Sequence, residues 1–237
     1  MRAIFFDLDG TLLPLDQDAF VNTYFAALIK AIAQRGYSPH RIKQALLLST
    51  QAMVTNKGKK TNEFALIDAM VSVLGERILQ DLDLFDDFYD CEFEQIKEIC
   101  GCNPQAKETI RLAKEKGFLL VLATNPLFPR RATESRIRWA GLSPEDFDLI
   151  TTYENFSFAK PNLDYYREIL ARMHLAPEDC LMVGNDVDED MITAELGMSV
   201  FLLTDCLLNR SKTDISQFPH GSFKELMHLI EDLDSRN

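Results

Sequence analysis

The chain opens on a short apolar run, Ala3 to Phe6, that breaks off at Asp7 and Asp9 before a Gly10-Thr11 turn. A run of this length bounded by turn residues predicts a buried strand. From there to about residue 98 the apolar positions take a helical period. Phe20, Tyr24, Leu28 and Ile32 recur every fourth residue until Gly36, which predicts a helix over 17–35 closed by a glycine. Ser38-Pro39 opens a second helix in the order of cap and first-turn proline, with Ile42, Leu46 and Met53 on its apolar face. Thr61 is placed to cap a third, with Phe64, Ile67 and Val71 on its apolar face and Asp68 on its polar one, and 84–99 reads as a fourth.

After Asn103-Pro104 the texture alternates. A helix to Lys116 stops at Gly117, and the strand 118–123 ends at Thr124-Asn125. A helix over 129–140, a short strand over 148–151 and an irregular stretch lead to Lys160-Pro161. Then come a helix over 163–173, a strand over 180–184 ending at Asn185-Asp186, a helix over 188–196, a strand over 199–203 and an amphipathic helix over 222–233. Alternation at these lengths predicts an α/β fold with a doubly wound parallel sheet. Its core is expected from residues 1–14 and 99–237, with 15–98 as an inserted α-helical unit. Ligands of such sheets lie beyond the carboxyl ends of the strands, where the strand order reverses.

Composition narrows the partners. With 237 residues and 46% hydrophobic content the chain can bury a core and a smaller second unit. A formal charge of -12, from 37 acidic against 25 basic residues, repels a phosphate backbone, so no nucleic-acid partner is expected. The first apolar run is too short for a signal peptide, and no run of about 18 apolar residues follows, so a cytoplasmic protein without membrane contact is expected. The five cysteines are odd in number and lack a repeated C-x-x-C spacing, which argues against a disulfide framework and a zinc site. Lys57, Lys59 and Lys60 form one basic cluster, read as a solvated loop rather than a substrate-facing one. The oligomeric state is left open.

The segment ends supply the chemistry. Asp7, Asp9, Thr124, Lys160, Asp186 and Asp190 all fall where a strand or loop stops. Two or three carboxylates can hold Mg²⁺, a hard cation that keeps waters for a phosphate to replace. A hydroxyl and an ammonium can hold phosphoryl oxygens, where the charge of a phosphoryl-transfer transition state resides. One carboxylate in line can attack phosphorus while a neighbour protonates the leaving oxygen. Asp188 and Glu189 read as an acidic first turn of the helix that follows.

Asp7-Leu-Asp9-Gly-Thr11, Ala123-Thr124-Asn125, Ala159-Lys160-Pro161 and Val183-Gly184-Asn185-Asp186 through Asp190 resemble the four ordered motifs of the haloacid dehalogenase superfamily. The resemblance implies a Rossmann-like core whose inserted helices form a cap over small substrates. It implies that Asp7 is a nucleophile forming an aspartyl-phosphate and that Asp9 is the acid that later activates water. Thr124 and Lys160, with Thr11 and Asn125 beside them, would bind the phosphoryl group, and Asp186 would complete a Mg²⁺ site with the Asp7 carboxylate and the Asp9 carbonyl. The family commonly has Gly-Asp where this chain has Gly184-Asn185, so Asn185 and Asp186 are both candidates for the ion, with Asp190 near it or holding Lys160. A carbon-halogen displacement needs no acid for its leaving group, whereas a phosphate ester does. Asp9 therefore points to a Mg²⁺-dependent phosphohydrolase acting on a small phosphorylated metabolite, with a phosphomutase and a catalytically quiet binding module as alternatives.

Overall fold

The computed structural model describes residues 1–234. Six strands, β1 (Ala3–Phe6), β2 (Leu119–Leu122), β3 (Leu149–Ile150), β4 (Cys180–Gly184), β5 (Ser199–Leu203) and β6 (His220–Gly221), form one parallel sheet in the order β3-β2-β1-β4-β5-β6. The order reverses at β1, whose Ala3 pairs with Leu119 on one side and Cys180 on the other. All four β1 residues are wholly buried, as a central parallel strand of Ala, Ile and Phe requires. Phe6 sits level with Leu122 and Val183, so the residues that follow each strand emerge together at one edge of the sheet.

Side-chain alternation along these strands builds two cores. Ile4, Phe6, Leu120, Leu122 and Val183 face one layer, and Ala3, Phe5, Val121 and Met182 face the other. The first layer carries α1 (Gln17–Ala33), α2 (Pro39–Val54), α3 (Asn62–Leu74) and α4 (Asp83–Asp90), and also α5 (Pro104–Glu115), α6 (Arg130–Trp139) and α8 (Phe223–Asp232). The second carries α7 (Leu163–Met173) through Tyr165, Tyr166, Ile169 and Leu170. Where the α1–α4 segment starts and ends the chain closes on itself: the Gly101 amide donates to the Pro14 carbonyl at 2.6 Å.

Phe20, Tyr24, Leu28 and Ile32 are the buried face of α1, and Ile42, Leu46 and Met53 are buried on α2, as their spacing predicts. Four elements differ from expectation. On α3 the buried residues are Asn62, Ala65, Ala69, Met70 and Leu74, while Phe64 is 57% exposed. Ala65 and Ala69 on that face let α3 pack closely along α2, where Ser49 Oγ donates to the Leu66 carbonyl at 3.2 Å. The single helix expected over 84–99 is broken into α4 and a 3₁₀ segment, Phe93–Ile99. Asp87 and Asp90 lie in the carboxyl half of α4, where negative charge is unfavourable. The break lets Phe88 and Phe93 both pack on Tyr24, at 6.1 and 5.9 Å between ring centroids, while the Tyr24 and Tyr89 hydroxyls meet at 2.8 Å.

The helix expected over 188–196 is a turn followed by a 3₁₀ segment, Met191–Leu196. There the Asp186 side chain accepts from the amides of Asp188 (2.8 Å) and Glu189 (3.0 Å), a local bonding pattern that competes with helix. Strand β6, two residues without an apolar run, carries no sequence signal.

Candidate active site

β1 delivers Asp7 to the sheet edge, and the turn after it returns at once: Gly10 N donates to Leu13 O at 2.8 Å and Leu13 N to Leu8 O at 2.8 Å. Gly10 takes φ +81°, and a Cβ there would run into the Asn185 side chain, so this turn demands glycine. The loop leading into α7 brings Lys160 to the same edge, where its wholly buried ammonium lies 2.8 Å from Asp7 Oδ1 and 2.6 Å from Asp190 Oδ1. Burial alone would pull the Lys160 pKa down, but the Asp190 and Asp7 carboxylates outweigh it and hold the ammonium well above the usual lysine range. Burial pushes the Asp190 carboxyl up, opposed by the Lys160 charge. Asp190 Oδ2 also accepts from the Asp186 amide at 3.1 Å, which ties the turn to the lysine.

The remaining motif residues close around this centre. Thr11 Oγ lies 2.8 Å from Asn185 Oδ1 and 3.2 Å from Asp7 Oδ2. The Thr124 carbonyl accepts from Thr151 (2.6 Å) and Tyr165 (2.8 Å), while its hydroxyl has no hydrogen-bond partner among the described residues and so is available to a ligand. Asn125 bridges two segments, accepting from the Lys160 amide at 3.3 Å and donating to Glu189 Oε2 at 3.2 Å. Asp186 turns outward to Arg210 Nη1 at 2.7 Å, and Arg210 reaches on to Gln17 of α1 at 3.0 Å. Asn185 is committed to structure, donating from Nδ2 to the Cys206 carbonyl at 2.7 Å.

All the residues singled out by sequence therefore lie together: Asp7, Asp9, Thr124, Asn125, Lys160, Asn185, Asp186 and Asp190 line one cavity of about 30 Å³, with Thr11 bonded into its wall. Space of this size holds one or two water-sized groups. A larger cavity of about 540 Å³ shares Asp9, Gln17, Asn185 and Leu208 with it and widens toward Arg210 and Asp16. Lys57 and Lys59 are exposed and Lys60 pairs with Asp68, so the basic cluster lines neither space.

Four polar residues were missed, among them Gln17 and Arg210, which bond each other beside Asp186. Glu189, expected as a solvated helix turn, lines the small cavity and bonds Asn125, and burial raises its pKa. Arg136 of α6 is wholly buried and pairs with Asp9 Oδ2. Its signal was present in the sequence: Ala132, Arg136 and Ala140 share one helical stripe, and a charge at the centre of an apolar stripe needs a buried partner. Burial pushes the Asp9 carboxyl up, with the Arg136 charge opposing.

Among the described residues no three acidic, thiol or imidazole groups stand close enough to hold an ion as they are. Lys160 pairs with Asp7 and Asp190, and Arg210 pairs with Asp186. The donor chemistry nonetheless suits a hard cation: the small cavity is lined by the carboxylates of Asp7, Asp9, Asp186, Glu189 and Asp190 against the single ammonium of Lys160.

The chain belongs to the haloacid dehalogenase-like hydrolase family, whose model matches residues 1–196. It is 25% identical over 218 residues to a glyceraldehyde 3-phosphate phosphatase of Methanothermobacter thermautotrophicus, covering 92% of each chain. It is also 25% identical over 204 residues to a phosphoglycolate phosphatase of Vibrio vulnificus, covering 86% of this chain and 84% of the relative. In fold it resembles a crystal structure described as a HAD phosphatase from Thermococcus onnurineus, with a TM-score of 0.58 at 16% identity over 97% of this chain and 98% of that one.

Proposed function

We propose that this chain is a phosphatase that hydrolyses a small phosphomonoester through a covalent intermediate on Asp7. Family membership and phosphatase relatives along most of its length favour that activity over a quiet binding module. The two relatives are named for substrates of three and two carbons, which suggests a leaving group small enough for the 540 Å³ cavity beside Asp9. The observation that carries the mechanism is the buried Lys160 ammonium held between Asp7 and Asp190, in a cavity that Thr124 also lines. Lys160 and Thr124 would neutralise and orient the phosphoryl oxygens. Asp7 attacks phosphorus, the ester P–O bond breaks, and the leaving oxygen takes a proton from Asp9. A water then gives its proton to Asp9 and attacks the aspartyl-phosphate, releasing phosphate and restoring the Asp7 carboxylate.

Asp7, the Asp9 carbonyl and Asp186 would hold Mg²⁺, with Asn185 as the alternative ligand and Asp190 behind Lys160. When bound, the ion supplies positive charge to the phosphoryl oxygens. Residues 15–98 would serve as a cap, with Gln17 facing the site from α1. The test is phosphate release from a panel of phosphomonoesters. Asp7→Asn keeps the shape of the side chain but is a far poorer nucleophile, so turnover is expected to fall to background while the melting curve stays cooperative. Turnover in purified Asp7→Asn protein comparable to wild type would end the covalent reading.

A further inference from the structure

Arg136 heads the largest side chains that are wholly buried in this protein, and a guanidinium in that position is tolerated only if it is paired and bonded. Its Nε donates to the Ala132 carbonyl at 3.3 Å and its Nη2 to Thr133 Oγ at 3.3 Å. Its flat face lies 4.2 Å from the Phe128 ring centroid and 6.0 Å from that of Phe20, an α1 residue. Held by its own helix and by two rings, the guanidinium has one direction left, and along it Nη1 meets Asp9 Oδ2. The other oxygen of the same carboxylate, Oδ1, is buried without any hydrogen-bond partner among the described residues. Asp9 lines both the small cavity around Asp7 and Lys160 and the larger one beside it.

A carboxylate with one oxygen fixed and the other free has a single orientation and a single place to carry a transferable proton. We propose that Arg136 is a positioning residue for hydrolysis: it fixes Asp9 through Oδ2, so that Oδ1 is the oxygen that exchanges the proton. In the first half-reaction the Asp9 Oδ1–H bond breaks and the leaving oxygen gains that hydrogen as the P–O bond opens. In the second, a water O–H bond breaks toward Oδ1 while the water oxygen bonds to phosphorus and the Asp7 acyl phosphate opens. Arg136 keeps its protons throughout. The inference rests on the reading of Asp9 as the acid, and it adds that α6, none of whose residues lines either cavity, controls how well that acid works.

The experiment is a leaving-group series: substituted phenyl phosphates from dinitrophenyl to unsubstituted phenyl, turned over by wild type, D9N, R136M, R136K and D9N/R136M. Good leaving groups need no proton, so an acid that is lost or misplaced shows as a steeper dependence of kcat on leaving-group acidity. R136M is expected to lose about a hundredfold on phenyl phosphate and less than about tenfold on dinitrophenyl phosphate, matching the slope of D9N. The double variant is expected to be no worse than D9N alone, because both changes remove the same step. R136K keeps the charge but loses the rigid fork that bonds Ala132, Thr133 and Asp9 at once, and is expected to give an intermediate slope. Should R136M fail to fold, R136K carries the test. Equal losses across the series, a wild-type slope in R136K, or additive losses in the double variant would overturn the proposal. A shallow slope in D9N itself would instead remove Asp9 as the acid, so the two failures are told apart.

Discussion

Gly184 lacks a side chain because Asp190 uses the space. A Cβ at that position would collide with the Asp190 carboxylate, the group that bonds both Lys160 and the Asp186 amide. Gly184→Ala therefore has to push Asp190 aside and take the lysine with it. A displacement of about 1 Å in a phosphoryl-binding group costs on the order of a hundredfold in rate, so kcat is expected to fall by about that factor with KM changed less. Steady-state kinetics beside a far-ultraviolet spectrum check this, and a wild-type kcat would show that Asp190 has slack the structure does not suggest. That Asp7, Asp9, Thr124 and Lys160 meet at one cavity was legible in sequence because each stands where an apolar run or irregular stretch stops, a pattern read along the chain. Glu189 was not, since its place arises from a partner, Asn125, that is distant in sequence, and the apolar stripe that marks Arg136 signals a buried partner without naming Asp9. A carboxylate in an acidic turn looks the same whether it faces water or a cavity.

The start of α3 illustrates the same divide among elements. Asn62 is wholly buried there, donating from Nδ2 to the carbonyls of Pro126 (3.1 Å) and Phe158 (3.2 Å) and accepting from Asn56 at 2.9 Å. Its backbone amide reaches Phe156 O at 2.8 Å and that of Glu63 reaches Tyr153 O at 2.9 Å. One helix end thus fastens the α1–α4 segment to the loops that carry Asn125 and Lys160. Asn62→Ala leaves two buried carbonyls without a donor and is expected to cost about 2–3 kcal/mol, read as a lower urea midpoint. An unchanged midpoint would mean that water replaces the amide at no cost. This clasp, with the packing on α2, holds α3 so that Ala65, Ala69 and Met70 point inward, and of the face Phe64, Ile67 and Val71 read from period alone Phe64 is exposed while Val71 still packs against the core. Where packing alone decided, on α1 and α2, the period was a sufficient guide. Where a polar contact or a side-chain-capped turn intervened, as at 184–190, it was not.

At the scale of the whole molecule, the acidic cavity should make folding and cation binding interdependent. If Mg²⁺ binds only the folded chain, a hundredfold excess over its Kd adds about 2.7 kcal/mol, or roughly 5–10 °C in Tm for a chain of this size. Asp186→Ala is expected to abolish most of that shift without substrate present, and Asn185→Ala to reduce it less. The opposite order in calorimetric titrations would move the ligand role to Asn185. Among the described residues no helix is long and apolar enough to cross a membrane. The sheet order has a further consequence, felt while the chain is being made. β1 leads the sequence yet lies at the centre of the sheet, and its two neighbours pair through Leu119 and Cys180. At translation speeds of about 5–20 residues per second, the Ala3–Phe6 segment waits roughly 10–40 s for its second partner, while α1–α4 can already form from local contacts. A nascent chain stalled short of Gly184 would hold the seven helices α1–α7, a β1 strand with one edge still open, and an Asp7 with neither Asp190 nor the Lys160 ammonium fixed in place.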